Sequence, residues 1–410
     1  MRDKELYAKI LGIESPWRVT EVDLSLEDGE ILVHLDNGDK RPPCPECGKL
    51  CSGYDTRSRR WRHLDTCQYR TVLVAQVPRI ECPVHGVLQI RVPWSEPGSR
   101  FTALFESLVI DWLQEASISA VTRLVGLDWG EVDRIMTRAV ARGLTRRERR
   151  LPQRIGVDET SFQKRHEYVT VVCDQQEDVV VHVADGRGRD SLDDFYKTFD
   201  KEQRQAVESV AMDMWAAYIG STVQYIPGAE TKIAFDKFHV AQHLSNAVDK
   251  IRRQENKFLV EQGDERLKGS KYLWLQNPDN MSDERWSSFE SLRQASLKTA
   301  RAWAIKELAM SLWQYTYRGS ARKAWNKWYS WAIRSRLEPI QEVAKMVQRH
   351  LEGILTAIVR GVTNARSEGI NAKIQWIKYT ARGFRNRERF RNAIYFHIGG
   401  LQLHPEGVTR

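Results

Sequence analysis

The sequence has no long apolar run and few cysteines. None of its apolar segments approaches the ~20 residues that a helix needs to span a bilayer, and the N-terminus, MRDKELYAKI, lacks the apolar stretch of a secretory signal. Six cysteines in 410 residues are too few for a disulfide scaffold. These absences argue against a membrane protein and against a disulfide-stabilised secreted domain. We therefore expect a cytoplasmic protein without a membrane partner.

Internal repeats and low-complexity segments are also missing, so a repeat architecture or a disordered chain is not indicated. Hydrophobic residues make up 41% of the chain and charged residues 29%, which allows a sizeable core. The length predicts two to four domains. The formal net charge of +9 favours a polyanionic partner, because each Lys or Arg that neutralises a phosphate releases counterions.

Five of the six cysteines crowd one short stretch, which indicates metal binding. Cys44 and Cys47 form a C-x2-C knuckle, and Cys82 and His85 form a C-x2-H knuckle, each with Pro after the first ligand and Gly after the last. Such loops turn backbone N–H groups toward the thiolates, and two of them complete a tetrahedral structural Zn²⁺ site. Three other residues of this stretch stay open as alternative ligands: Cys51, His63 and Cys67.

Strands are predicted on both sides of the first knuckle. Alternating apolar and polar residues in 1–43 predict a β-hairpin around Glu27-Asp28-Gly29. The 34 residues between the knuckles exceed the usual finger spacing, so we expect strands there, including TVLVAQV. RSRRWRHLD in the same stretch predicts a cationic loop that contacts DNA or is simply solvated. Its candidate DNA-binding residues are Arg57, Arg59, Arg60 and Arg62.

Residues 100–150 predict a helix-turn-helix. FTALFESLVIDWLQ is one amphipathic helix, Ser117 caps a second, and Asp128-Trp129-Gly130 leads into a third. The last helix of such a trio enters the major groove, so Arg134 and Arg138 are candidate DNA contacts. The basic run at 141–154 fits either a solvated connector or a phosphate contact.

A series of strands begins at Arg154. RIGVDETSF and EYVTVVCDQQEDVVVHVADGRG predict three strands, with a tight turn near Gln175-Gln176, and SLDDFYKTF predicts a helix. VESVAMDMWAAYIG and KIAFDKFHVAQHL each predict a buried strand followed by a helix. The order β-β-β-α-β-α-β-α is that of an RNase H-like domain.

Three acids of this region are candidates for catalysis. Asp158 ends the first strand, Asp213 lies 55 residues later in the apolar VAMDMW segment, and Glu368 begins an amphipathic helix. Such carboxylates hold two divalent cations about 3.5–4 Å apart, which activate a water or a 3′-OH. We expect Asp158 and Asp213 on one sheet face, crossed by the helix that carries Glu368. Glu159 is expected to point to the opposite face, and Glu388 is the alternative helical acid.

Taken in order, these segments resemble the transposases of the ISL-three family of bacterial insertion sequences. The zinc finger, the helix-turn-helix and the GVDE, MDMWAAY, DKFH and NARSEGIN segments match that family's pattern over nearly the full chain. The resemblance implies Mg²⁺, or Mn²⁺ in its place, as the cofactor of a DDE triad: Asp158, Asp213 and Glu368. It also implies a role near the scissile strand for Asp236 and His239. At His85 the family more often has a fourth Cys.

The helical region after His243 lies between the second and third acids, which predicts an insertion into the catalytic domain. It carries seven of the fourteen tryptophans. The favoured interpretation is that they fill a helical core, and the alternative is that one of them stacks on an unpaired base. The tail that follows is basic with interleaved aromatic residues. Its candidate phosphate contacts, which a solvent-facing helix would also explain, are Arg382, Arg385, Arg387, Arg389 and Arg391.

These predictions combine into a multidomain α+β and α/β fold. We expect an N-terminal hairpin region (1–43), a zinc finger (44–95), a helix-turn-helix (100–150), and an RNase H-like domain (151–245 and, with the basic tail, 361–410) interrupted by an all-helical insertion (246–360). The zinc finger and helix-turn-helix would recognise the terminal inverted repeats in double-stranded DNA, and the catalytic domain would cleave the ends and join the 3′-OH strands to target DNA.

We expect at least a homodimer, because two element ends must be brought together. We also expect a bacterial protein that associates with the nucleoid. A catalytically silent DNA-binding regulator derived from a transposase is the alternative, but it should have eroded its acids. A non-transposing nuclease or resolvase would not need two N-terminal DNA-reading modules.

Overall fold

The computed structural model describes residues 3–163, 167–295, 297–362 and 365–407. The chain divides into two compact units, Met1–Arg147 with Tyr395–Arg410, and Glu148–Ile394. The end of the chain thus belongs to the first unit, whereas the sequence pattern assigned all of 361–410 to the catalytic domain. Long-range hydrogen bonds explain the difference, since the Arg146 guanidinium donates to the carbonyl of His404 at 2.6 Å. None of the described helices has the length and apolar character needed to cross a membrane.

The first unit contains a five-stranded sheet. Its elements are α1 (Asp3–Ile10), β1 (Trp17–Ser25), β2 (Glu30–Asn37), β3 (Ser52–Arg62), β4 (Arg70–Cys82) and β5 (Gly86–Gln89). The strand order is β1-β2-β4-β3, and β5 also pairs with β4. β1 and β2 form the predicted antiparallel hairpin, and TVLVAQV lies in β4 as expected. Alternate residues of β4, among them Leu73, Ala75 and Val77, are buried, because one face of the sheet covers the core.

Three helices follow in the same unit: α2 (Ala103–Glu115), α3 (Ile118–Val125) and α4 (Trp129–Arg146). Ser117 caps α3 as predicted, its side chain accepting from the Ala120 N–H. Asp128 starts α4 with a reciprocal capping box formed with Glu131. Gly126 ends α3 in the left-handed region, where a Cβ would be strained, and so allows the tight turn into α4.

The second unit is built on another five-stranded sheet. It comprises β6 (Arg154–Gln163), β7 (Glu167–Asp174), β8 (Val179–Asp185), β9 (Ser209–Met212) and β10 (Ile233–Phe235), with α5 (Asp190–Lys197), α6 (Lys201–Gln205) and α7 (Ala216–Tyr225) between strands. The strand order is β10-β9-β6-β7-β8. β6, β7 and β8 are antiparallel, whereas β6, β9 and β10 are parallel. The strands and helices follow the order predicted from the sequence except for α6, a second helix between β8 and β9 that the sequence pattern did not predict.

Helices make up the rest of this unit. They are α8 (Lys237–Glu261), α9 (Lys271–Leu275), α10 (Asp283–Gln294), α11 (Lys298–Ser311), α12 (Arg318–Arg334), α13 (Glu338–Arg349), α14 (Leu351–Arg360), α15 (Ala365–Thr380) and α16 (Arg387–Ile398), which runs on into the first unit. Trp274, Trp325 and Trp328 are almost fully buried in their core, as the favoured interpretation of the tryptophans predicted. Trp331 is partly exposed.

Candidate active site and DNA-binding surfaces

Four side chains of the first unit converge as a metal-binding group: Cys44, Cys47, Cys82 and His85, whose ligand atoms all lie within 4.8 Å of one another. Cys47 Sγ is 3.8 Å from Cys82 Sγ, and His85 Nδ1 is 3.6 Å from Cys82 Sγ. Tetrahedral Zn–S bonds of about 2.3 Å separate two sulfurs by about 3.8 Å, so the spacing fits zinc. The backbone N–H groups of Val84 and His85 lower the pKa of Cys82 to about 6, which favours the thiolate that a metal requires.

The three alternative ligands lie outside this group. The Cys51 thiol donates to the carbonyl of Lys49 at 3.2 Å, and Cys67 is exposed. His63 is buried and its Nδ1 is 2.9 Å from the Thr102 hydroxyl. Burial lowers the pKa of His63 to about 4, so the imidazole is neutral at pH 7.

Asp158 and Asp213 lie at matching positions on neighbouring parallel strands. β6 and β9 pair with a register that joins Ile155 to Val210 and Gly156 to Ala211. Continuing that register by two residues places Asp213, directly after β9, level with Asp158. β6 continues to Gln163, so Asp158 lies in the middle of its strand, and the prediction that the first strand ends at Asp158 is wrong. The parallel ladder itself ends at Gly156 and Ala211, so each acid comes two residues beyond the last pair.

The Asp158 carboxylate is held by two donors. Its Oδ1 accepts from the Glu159 N–H at 2.8 Å, and its Oδ2 accepts from the Asn371 side-chain amide at 2.7 Å. Burial raises the pKa of Asp158 to about 6, and the negative charges of Glu159 and Asp213 act in the same direction. A half-buried carboxylate close to other acids is a group that a cation would stabilise.

Asp213 lies beside the DKFH segment. Its Oδ1 accepts from the Met214 N–H at 2.6 Å and is 3.6 Å from Nδ1 of His239. His239 is the third residue of α8, which begins directly after β10, the neighbour of β9. Asp236, at the N-cap of α8, is buried. The parallel order of β9 and β10 thus brings His239 to Asp213.

Glu368 is exposed in the first turn of α15. The side chains of Asn371, Gln375 and Lys378 bond along β6, to Asp158 Oδ2 at 2.7 Å, Thr160 Oγ1 at 2.9 Å and the Ser161 carbonyl at 2.6 Å, respectively. A spacing of three and four residues puts Glu368 on that same face, one turn before Asn371.

The three acids are less tightly gathered than the Cys and His ligands. Among the described residues, the only group of three or more potential metal ligands within 4.8 Å is the Cys44, Cys47, Cys82 and His85 group. Asn364 of the NARSEGIN segment lies outside the described residues.

The side chains of Glu159 and Asp158 have different partners. The Oε1 of Glu159 is 3.6 Å from Arg187 Nη1, whereas Asp158 bonds to Asn371 of α15. Burial raises the pKa of Glu159, and the charge of Asp213 acts in the same direction. Glu388 is exposed in the first turn of α16, where its backbone N–H donates to the Asn386 side chain.

Sequence reasoning missed two residues that contact the acids. Asn371 lies three positions after Glu368, and this spacing on one helix face was an available signal. Arg187 follows β8 in a Gly-Arg-Gly loop, and no sequence pattern connects it with Glu159.

Models of known families match nearly the whole chain. A transposase domain of family ISL3 matches residues 155–394, a helix-turn-helix domain of transposase family ISL3 matches 90–140, and a zinc-finger of transposase IS204/IS1001/IS1096/IS1165 matches 40–85. The chain belongs to the ISL3 family of transposases. Its matching regions coincide with the second sheet, the three-helix segment and the metal-binding group.

Two relatives illustrate the breadth of the family. The transposase for insertion sequence element IS1001 of Bordetella parapertussis is 28% identical over 396 residues, covering 95% of this chain and 97% of that protein. The transposase for insertion sequence element IS1557 of Mycobacterium tuberculosis is 28% identical over 425 residues, covering 94% and 93%. The similarity is therefore spread over all regions of this transposase.

The arginines predicted near the finger lie on β3 of the transposase, so the expected cationic loop is a strand. Arg57, Arg59 and Arg60 are exposed there. Arg62 is largely buried, donates to the His63 carbonyl at 2.9 Å and lies over the Phe105 ring. Arg62 therefore holds β3 against α2, and we do not retain it as a DNA contact.

The two arginines predicted on α4 differ in the same way. Arg134 is exposed, but the guanidinium of Arg138 forms an ion pair with the buried carboxylate of Glu106. Arg142 pairs with the other oxygen of Glu106 at 3.2 Å. Arg138 thus neutralises an internal acid of the three-helix segment, and Arg134 is the better candidate for DNA contact.

The arginines of the basic tail of the transposase differ in exposure and in their ion pairs. Arg382, Arg385 and Arg389 are exposed. Arg387 pairs with Glu167 at 3.1 Å and Arg391 pairs with Asp185 at 3.1 Å. The latter two join α16 to strands of the second sheet, so a phosphate would have to compete with a carboxylate for them.

Proposed function

We propose that this ISL3 transposase is a DDE enzyme that binds the terminal inverted repeats of an insertion sequence, cleaves the DNA at the element ends and transfers the 3′-OH strands into target DNA with divalent metal ions. The observation that carries the proposal is the shared level of Asp158, within β6, and Asp213, directly after the neighbouring parallel strand β9. α15 runs along β6 on the face that includes Glu368, so a third carboxylate is available from a helix.

We assign the second unit an RNase H-like fold interrupted by a helical insertion. The sheet order β10-β9-β6-β7-β8, with three antiparallel strands continued by parallel ones, supports this assignment. The helices of 246–360 separate the second acid from the third, which is the basis for treating them as inserted.

The carboxylates of Asp158, Asp213 and Glu368 would hold Mg²⁺ or Mn²⁺. The donor set fits such hard cations, since all three residues offer oxygen ligands and Asp158 is half-buried beside other acids. When bound, the cations stabilise the charge on the attacking and leaving oxygens of phosphoryl transfer.

Neighbouring residues would orient these carboxylates. The Asn371 amide donates to Asp158 Oδ2, and this fixes the rotamer of the side chain. His239 lies 3.6 Å from Asp213 Oδ1, where its imidazole would orient the carboxylate. Asp236, buried at the N-cap of α8, and His239 would both act near the scissile strand.

DNA recognition would be shared between the two units. α4 would enter the major groove with Arg134 near its start, and the exposed arginines of β3 would contact phosphates, with Zn²⁺ stabilising the finger. Arg382, Arg385 and Arg389 would bind the backbone near α15. We further propose a homodimer or larger assembly, because two element ends must be joined, in a cytoplasmic, nucleoid-associated protein.

The test is cleavage and joining of DNA that carries the element's own ends, with purified protein and Mg²⁺. Wild type is compared with Asp213→Asn and with the matched control Asp194→Asn, which removes an exposed carboxylate on α5. We expect nicks at the end boundaries in wild type and control, and none in Asp213→Asn although it still binds the ends. Binding without cleavage in wild type, under several metals, would favour the regulator. Cleavage by Asp213→Asn would show that the wrong carboxylate was assigned.

A further inference from the structure

A cationic side chain is held between two aromatic rings beside the proposed acids. Arg187 lies in the loop between β8 and α5, and its Cζ is 4.5 Å from the ring centre of Tyr168 and 4.8 Å from that of Trp215. Its Nη1 is 3.6 Å from Glu159 Oε1. We call Arg187 with these three neighbours the Arg187 clamp.

The clamp is joined to both chain segments that carry the first two proposed catalytic acids, β6 with Asp158 and the residues after β9 with Asp213. Glu159 directly follows Asp158 on β6, and Trp215 comes two residues after Asp213. The indole N–H of Trp215 also donates to the Arg187 carbonyl at 2.9 Å, which fixes the loop as well as the side chain. The guanidinium is therefore positioned by residues adjacent in sequence to Asp158 and Asp213.

The contacts of Arg187 leave hydrogen-bonding capacity toward solvent. A guanidinium has five N–H donors in one plane, and the contacts of its Cζ with the two ring centres do not require a hydrogen bond from any of them. The contact with Glu159, at 3.6 Å, is longer than the roughly 2.7–2.9 Å of a charge-assisted hydrogen bond. The side chain is 38% exposed. These features describe a pre-positioned cation with free donors more than a closed internal ion pair.

We propose that Arg187 binds a phosphate of the DNA strand that passes the acids, next to the phosphodiester to be cleaved. The planar fork of a guanidinium matches two phosphate oxygens, and its fixed positive charge offsets the repulsion between the DNA backbone and the carboxylates of Asp158, Asp213 and Glu159. Pre-positioning by Tyr168 and Trp215 reduces the conformational entropy lost on binding. This inference rests on the proposed function, because it requires DNA at the acids.

The first test measures the salt dependence of binding to an element-end duplex, with Ca²⁺ in place of Mg²⁺. Wild type is compared with Arg187→Ala and with the matched control Arg154→Ala, an exposed arginine at the start of β6 that pairs with Glu208. Loss of one phosphate contact lowers the slope of log K against log salt by about 0.9. We expect that decrease in Arg187→Ala and no decrease in Arg154→Ala.

The second test identifies the phosphate. Single uncharged methylphosphonates are placed at each position around the cleavage site. We expect one position at which wild type loses affinity about tenfold and Arg187→Ala loses nothing further. Arg187→Lys keeps the charge, so we expect it to retain the salt slope of wild type. We expect it to lose the part of the affinity that depends on two N–H donors of the planar guanidinium binding one phosphate. Thermal melting of all variants shows whether each is folded, and Arg187→Gln, which also removes the charge, takes the place of Arg187→Ala if the alanine variant is not folded.

The outcomes separate the inference from the proposed function. If wild type cleaves the ends and the Arg187 variants match it in salt slope and in every methylphosphonate position, the Arg187 assignment is overturned and the enzyme remains. If wild type neither binds nor cleaves the ends, both are overturned.

Discussion

The Asn371 side-chain amide donates a 2.7 Å hydrogen bond to Asp158 Oδ2, which joins α15 to β6. These residues are 213 positions apart in the sequence. The bond orients a half-buried carboxylate and also fixes the helix that carries Glu368.

Replacing Asn371 with Ala should impair cleavage more than DNA binding. Loss of an outer-shell hydrogen bond to a metal ligand typically costs about 10- to 100-fold in metal affinity or activity. We expect the Mg²⁺ concentration for half-maximal cleavage to rise within that range, with end binding little changed. The control is Gln375→Ala, which removes a bond from the same helix face to Thr160. An equal effect of both variants would show that the bond only anchors α15.

The substitution Gly156→Ala should displace α15 from the sheet. A Cβ at this position would lie 2.4 Å from Ser367 Oγ and 2.6 Å from Cys173 Sγ, closer than atoms can approach without rearrangement. Overpacking of this kind costs about 1–3 kcal/mol. We expect urea unfolding to report that loss, together with slower cleavage. Gly319→Ala, where a Cβ meets nothing within 4 Å, should be neutral or slightly stabilising.

Stability should depend on pH through His63. Burial depresses the pKa of this imidazole from its ordinary value of 6.5 to about 4, so the unfolded chain binds a proton more readily between these values. The contribution of His63 to the free energy of unfolding is therefore fully present above pH 6.5. It is lost as the pH falls toward 4, and the total loss is about 3 kcal/mol. Urea unfolding between pH 7.5 and 4.5 should show a steeper decline for wild type than for His63→Gln. Parallel declines would contradict this prediction.

The buried Glu106 should be essential for the three-helix segment. Its carboxylate accepts from Ser99 Oγ at 2.6 Å and pairs with Arg138 and Arg142. The variant Glu106→Gln leaves the largely buried Arg142 with less compensation, and breaking a buried pair costs about 3–5 kcal/mol. Chemical unfolding followed by circular dichroism measures this loss. Glu115→Gln, the same change at the exposed end of α2, should have little effect.

Loss of Cys82 should release a metal ion. We expect elemental analysis to find one zinc ion per chain in wild type and much less in Cys82→Ser, with lower thermal stability, since ligand loss removes folding free energy. Cys67→Ser changes an exposed thiol outside the group and should keep the zinc content of wild type. Equal zinc content in wild type and Cys82→Ser would rule out the site.

Local patterns in the sequence were sufficient for most strands and helices and for the metal-binding group, but not for β3, α1 and α6. Alternation over β4, the cap at Ser117 and the Pro and Gly around the two knuckles each depend on neighbours a few residues away. The backbone responds to such short-range signals wherever the segment lies in the fold. The family pattern could likewise be recognised from the sequence, because its motifs are short and occur in a fixed order along the chain.

Tertiary structure alone decided which charges are internal and what the acids contact. Arg62 and Arg138 have the same sequence character as Arg60 and Arg134, yet they are bonded inside the first unit. The register that brings Asp213 level with Asp158, the bond from Asn371 and the aromatic contacts of Arg187 join distant segments. Periodicity shows which face of an element is apolar, but only packing of the whole chain determines which polar partner that face meets.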